Sequence, residues 1–180
     1  ELTKIDHKKF YLSGTMVGAG PVEFDAGKTI EDFNEKKLLE NIENIKTFNF
    51  QGTTKCPGLI HKETWEHVGG WSEEFSPTGG DDTDFAMKLW CYDVRIFKGL
   101  GKCLAYHFGS ITTRKKDKSL FTYLGSKGNK IFLLKWGISI NFFEKFYLKS
   151  GLDKNKKLIF TKYLGELNNP NKSFKFYFEL

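Results

Sequence analysis

Apolar residues change their spacing along this chain, laying out strands interleaved with helices first and helices almost alone towards the end. Phe10 to Val17 is a near-continuous apolar and β-forming run closed by Gly18-Ala19-Gly20-Pro21, which predicts a strand and a turn. From Thr29 to Lys46, Phe33, Leu38, Leu39, Ile42 and Ile45 recur at helical spacing among Glu, Lys and Asn. That spacing predicts a surface helix with one buried stripe. Pro57-Gly58-Leu59-Ile60 reads as a short strand, and Lys62 to Val68 as a two-turn helix that Gly69-Gly70 stops, with Trp65 in the core. Phe85, Leu89 and Trp90 mark a further helix, and Val94–Phe97 and Lys102–His107 two short strands joined through Gly99 and Gly101. Beyond Asp117 the pattern predicts helices over Ser119–Trp136, Ile140–Lys149 and Lys154–Leu167. The expectation is an α/β portion, residues 1–117, followed by a basic, aromatic-rich helical appendage, residues 118–180.

Charge sharpens that division. The 180 residues carry a formal net charge of +6, yet residues 1–118 hold 17 Lys/Arg against 18 Asp/Glu, and residues 119–180 hold 11 against 4. A basic segment rich in aromatics suits single-stranded nucleic acid or an anionic membrane surface. It also suits helices with aromatic inner faces and lysine outer faces, which the helix-like intervals favour. Arg95 and Arg114 are the only arginines, which speaks against specific nucleic-acid recognition; peripheral membrane contact stays open. No apolar run reaches the ~20 residues of a membrane span. Three cysteines (Cys56, Cys91, Cys103) without a CxxC pair, and no secretory leader, point to a cytoplasmic protein.

The densest chemistry lies in Ser76-Pro77-Thr78-Gly79-Gly80-Asp81-Asp82-Thr83-Asp84-Phe85. Three carboxylates within four residues repel one another unless a cation, a proton or a helix N-terminus compensates. Helix capping needs one of them, or two, and explains neither the glycine pair nor the third aspartate. An EF-hand starting at Asp82 fails at Ala86 and Met87. Cys91, Cys103 and His107 lack the paired spacing of a zinc site, and no nucleophile elbow, Walker A or dinucleotide fingerprint is present.

Gly69-Gly70-Trp71-Ser72-Glu73-Glu74-Phe75, then Gly79-Gly80-Asp81-Asp82-Thr83-Asp84-Phe85, then His107 resembles the C-terminal half of GT-A glycosyltransferases, of the family 2 and galactosyltransferase C-terminal types. The likeness covers about residues 55–110. Asn129-Lys130-Ile131-Phe132-Leu133-Leu134-Lys135-Trp136-Gly137 is similar to a segment of some family 2 members. The resemblance implies the acceptor-side part of a Rossmann-like fold with a mixed sheet, and an inverting, metal-dependent hexosyltransferase-like enzyme. Its donor would be a nucleotide-diphosphate sugar and its acceptor a saccharide or other hydroxyl compound. It implies Asp82 as the catalytic base, Asp81, Asp84, Gly79, Gly80 and Trp71 on the acceptor side, and His107 as a ligand of Mn²⁺ or Mg²⁺. Asp81 stands where the family usually has Glu. Lys88 is assigned at most a phosphate contact, and Arg114 and Lys115 are candidates for the donor diphosphate, against the plainer reading of a solvated charge run.

A carboxylate suits the base because an acceptor hydroxyl gives up its proton only as its oxygen attacks the sugar, and carboxylate neighbours should raise the base's pKa. The nucleotide-binding half with its Asp-x-Asp motif would lie upstream, which makes this chain a fragment with an open sheet edge; Asp6 and Asp25 do not form such a pair. Two other function classes remain: a carbohydrate-binding or assembly module without catalysis, and a basic nucleic-acid or membrane-surface binder acting through residues 119–180.

Overall fold

The computed structural model describes residues 5, 7–18, 22–53, 57–77, 79–109, 118–152, 158–159 and 161–169. Its centre is a four-stranded mixed open sheet in the order β2-β4-β1-β3, with β1 spanning Phe10–Gly18, β2 Phe50–Gln51, β3 Gly58–Ile60 and β4 Ile96–His107. β1 runs parallel to β4, from Phe10 opposite Ile96 to Gly18 opposite His107, while β3 and β2 pair antiparallel on the two sides. The molecule is therefore of the mixed α/β class.

β4 corrects the expectation of two short strands. It is one 12-residue strand with an irregularity: Ser13 faces Gly99, but Thr15 already faces Leu104. The extra residues bulge out, and Thr15 Oγ1 donates to Leu100 O across the bulge at 2.9 Å. Gly99 and Gly101, read as a joint, lie instead under Phe50 and Phe48, which leave no room for a Cβ.

Helix α1 (Glu35–Asn41) is much shorter than the predicted Thr29–Lys46 and buries none of its residues. Local side chains decide its start. The Asp32 carboxylate accepts hydrogen bonds from Lys28 N, Thr29 N and Thr29 Oγ1, holding a turn, and Asn34 Oδ1 caps the helix by accepting from Lys37 N. These hydrogen bonds, from the Thr29 backbone first, hold Asp32 below the usual carboxylate range. α2 (Lys62–Val68) is as predicted, ending on left-handed Gly69, but Trp65 is 36% exposed rather than buried.

α3 (Asp81–Cys91) packs Phe85, Leu89 and Trp90 onto the sheet, with Phe85 edge-on to Tyr11 at 5.8 Å. The opposite wall comes from residues expected to form an appendage. α4 (Lys118–Trp136) contributes Phe132, and the stretch Ile140–Phe142, continued by a π turn Phe143–Tyr147, contributes Phe143. Both rings are fully buried in the cluster that holds Phe85, Trp90 and Phe97. Lys127, Lys130, Lys145 and Lys149 are exposed, so the inner-aromatic, outer-lysine reading describes this segment.

A helix over Lys154–Leu167 is not found among the described residues. β5 (Gly151–Leu152) and β6 (Leu158–Ile159) form a two-stranded ribbon, and residues 161–169 are irregular, with one antiparallel bridge from Lys162 to Phe50. Gln51 N donates to Thr161 O and Tyr163 N to Asn49 O, each at 2.9 Å, and Leu167 N donates to Arg95 O at 3.0 Å. Thr161 to Tyr163 thus cover the outer edge of β2, where the Gln51 amide would otherwise lack a partner. No described helix is long and apolar enough to cross a membrane.

Candidate functional site

The acidic loop is built by the turn before it and the helix across from it. Residues Glu73–Phe75 form one 3-10 turn, the Ser76–Pro77 bond is cis, and Gly79 and Gly80 adopt φ of +111° and +89°. Few residues other than glycine adopt those angles, and Gly80 stands at the N-cap of α3. Gly79 is also pressed against α4, where a Cβ on Gly128 would collide with the Gly79 carbonyl. The glycine pair therefore serves close packing between loop and helix as well as the turn.

The three aspartates have different surroundings. Asp84 is fully buried and satisfied: Ser72 Oγ donates to it at 2.5 Å, Trp136 Nε1 at 2.7 Å, and Lys135 Nζ lies 3.0 Å from its carboxylate. At 0% exposure Asp84 is closed to an acceptor, the side on which the resemblance placed it, and its bonds run inside the protein. The acidic loop and the Lys135-Trp136-Gly137 segment, 51 and 52 residues apart in sequence at these contacts, are thereby tied together. Asp81 Oδ1 accepts from Gly79 N at 3.0 Å, inside its own turn. Asp81 and Asp82 are both half-buried on the first turn of α3.

Two lysines sit beneath this turn. Lys135 Nζ also donates to Glu74 Oε1 at 2.7 Å and to Ser72 Oγ at 3.1 Å. Partial burial works against its charge, but the hydrogen bonds to Glu74 and Asp84 outweigh it and hold the ammonium above the ordinary lysine value. The same bond from Lys135 pulls Glu74 below its ordinary value. Lys88 Nζ donates to Gly70 O at 2.6 Å and to Ser72 Oγ at 3.2 Å, and burial lowers its pKa. The phosphate contact considered for Lys88 is replaced by these internal bonds.

Trp71 is 45% exposed, and its ring centroid is 4.6 Å from that of Phe85 and 6.1 Å from that of Trp65. Ser72, its neighbour, is the residue bonded to Asp84. Trp71 therefore stands beside the acidic turn.

His107 ends β4, opposite Gly18, and lines a cavity of ≈ 290 Å³ with Glu23, Asp25, Lys28, Tyr106 and Phe108. Tyr106 fixes the wall: its hydroxyl donates to Gly27 O at 2.7 Å and accepts from Ala26 N at 2.9 Å. The cavity opens at the carboxyl ends of the parallel strands, where open α/β sheets usually bind ligands. None of Asp81, Asp82 and Asp84 lines it. Of the sequence-predicted residues, only His107 lines this cavity, and Arg114 and Lys115 lie outside the described residues.

Glu23 and Asp25 were missed by the sequence reading, although Glu23-Phe24-Asp25 places two carboxylates two residues apart just beyond β1. With His107 they offer donor types that suit Mn²⁺ or Mg²⁺. Among the described residues, however, no three His, Cys, Asp or Glu side chains come close enough together to hold one ion. By themselves the described residues do not fit a metal. Comparison with known protein families, with curated proteins and with solved structures returned no match.

Proposed function

We propose that this chain is the acceptor-side part of a GT-A-type inverting glycosyltransferase, with Asp82 as its base. The observation that carries the reading is the division of labour in the acidic loop. Asp84 is fully buried against Ser72, Lys135 and Trp136, while Asp81 and Asp82 are half-buried at the start of α3, on the same helix as Phe85, which packs against the solvent-facing Trp71. Lys135 balances the charge of Asp84.

In the proposed step an acceptor hydroxyl oxygen bonds to the anomeric carbon as the bond from that carbon to the donor diphosphate breaks. The hydroxyl proton passes to the Asp82 carboxylate, and the diphosphate leaves with the bonding electron pair. Attack opposite the leaving group inverts the anomeric centre. Trp71 and the Gly79-Gly80 turn border the acceptor, and the His107 cavity is assigned to the donor side. Because the described residues do not by themselves fit a metal, no step is assigned to one, and turnover with and without chelator reads any dependence on Mn²⁺ or Mg²⁺. A cytoplasmic location is likewise proposed.

The test is sugar transfer by the complete protein containing this chain, across a panel of nucleotide-diphosphate sugars. Asp82→Asn should lower kcat by about 10²–10⁴-fold while the fold stays intact. Turnover at the wild-type rate in that variant would remove Asp82 from the mechanism. Saccharide binding without transfer is the second reading, and the absence of the acidic residues from the lining of the His107 cavity favours it. Saturable sugar binding with no turnover for any donor would select it.

A further inference from the structure

We propose that the outer face of α4 is a contact surface for an anionic lipid bilayer. The inner face of the helix is committed to packing: Leu124, Gly128 and Phe132 are buried, and Lys135 reaches the buried Asp84. Tyr123, Lys127, Lys130 and Leu134 follow one another by four, three and four residues, the spacing of a single stripe along a helix. All four are exposed, Leu134 at 86%, and Leu133 beside them is 49% exposed. The stripe runs for about 16 Å. Among the described residues neither Lys127 nor Lys130 is ion-paired. No Asp or Glu occurs from Lys118 to Phe143, so nothing on α4 itself offsets these charges.

The mixture of side chains selects the occupant. An anionic bilayer meets each part of it: lipid phosphates face the lysines, the acyl boundary takes the leucines, and a tyrosine ring suits the headgroup level between them. The lysine stems lie along the apolar boundary while their ammonium groups reach the phosphates. α4 is not long and apolar enough to cross a membrane, so it lies in the plane of the surface. Single-stranded nucleic acid would engage the lysines but leave two leucines in water, with one aromatic ring to stack on. A second copy docked on the same face would bring two lysine-bearing surfaces together with no acid between them.

The experiment measures co-sedimentation of the protein with sucrose-loaded vesicles, of phosphatidylcholine alone and of phosphatidylcholine mixed two to one with phosphatidylglycerol. The mixed vesicles should retain the protein and the neutral ones should not, and added salt should weaken that retention. Lys127→Gln combined with Lys130→Gln should lower partitioning about thirtyfold. Leu134→Ser should lower it about tenfold. Both variants should keep the wild-type thermal midpoint, because the positions are exposed. Lys62→Gln, at an exposed lysine on α2, should bind as wild type. Equal retention by both vesicle types, retention by neither, or wild-type binding in the α4 variants overturns the proposal. Where neither vesicle retains the protein, self-association abolished by Leu134→Ser gives the face to a second copy. Oligothymidylate binding abolished by the lysine variant then gives it to nucleic acid.

Discussion

Asp84 shows how a residue's chemistry is set by what surrounds it. A fully buried carboxylate is tolerated because a lysine, an indole N–H and a hydroxyl all point at it. Asp84→Ala strands Lys135 and Trp136 and should cost about 3–5 kcal/mol in urea unfolding. Asp82→Asn, on a half-exposed position, should cost less than about 1 kcal/mol, so stability separates the anchor from the proposed base. Glu74 adds a pH signature. Its pKa is lowered on folding, so its contribution is present above the ordinary glutamate value and fades as pH falls through the lowered one. Lys135, raised on folding, contributes below the ordinary lysine value and stops contributing as pH rises through its elevated one. Glu74→Gln should flatten the acid side of the stability profile, at a neutral-pH cost below about 1 kcal/mol because the pair is partly exposed.

At the scale of elements, the informative pair is Gly125 and Gly128 on α4. Both weaken a helix, but a Cβ on Gly128 meets the Gly79 carbonyl and one on Gly125 meets nothing within 4 Å. Gly125→Ala should stabilise the protein by about 0.5–1 kcal/mol through helix propensity alone. Gly128→Ala should destabilise it despite the same gain, because the loop must move off the helix. Thermal unfolding of the two variants checks both signs, and equal stabilisation would mean that the loop does not rest on α4. Element identity was legible where a local signal had no competitor. β1, α2, α3 and α4 lie where spacing, glycine stops and apolar faces put them. α1 shrank because Asp32 and Asn34 hydrogen-bond to backbone that a longer helix would need. The 161–169 stretch has no local preference strong enough to resist the open edge of β2.

For the whole molecule, the division between residues 1–117 and 118–180 separates composition but not packing. Phe132, Phe143, Leu148 and Leu167 complete the cluster that contains Tyr11, Phe85 and Phe97. Phe132→Ala should therefore cost about 3–5 kcal/mol, and a chain ending at residue 117 should lack a cooperative thermal transition. An independent, cooperative transition from residues 1–117 would restore the appendage. The sequence by itself determined the α/β class, the acidic helix start and the order of the candidate groups, because spacing, glycine stops and carboxylate density are local properties. Only the tertiary structure decided that Asp84 is an anchor, that Trp65 faces solvent and that His107 lines a cavity with Glu23 and Asp25. Each of those depends on which distant side chain fills or leaves a space, and contacts such as Asp84 with Trp136 or His107 with Gly18 come from packing and strand register.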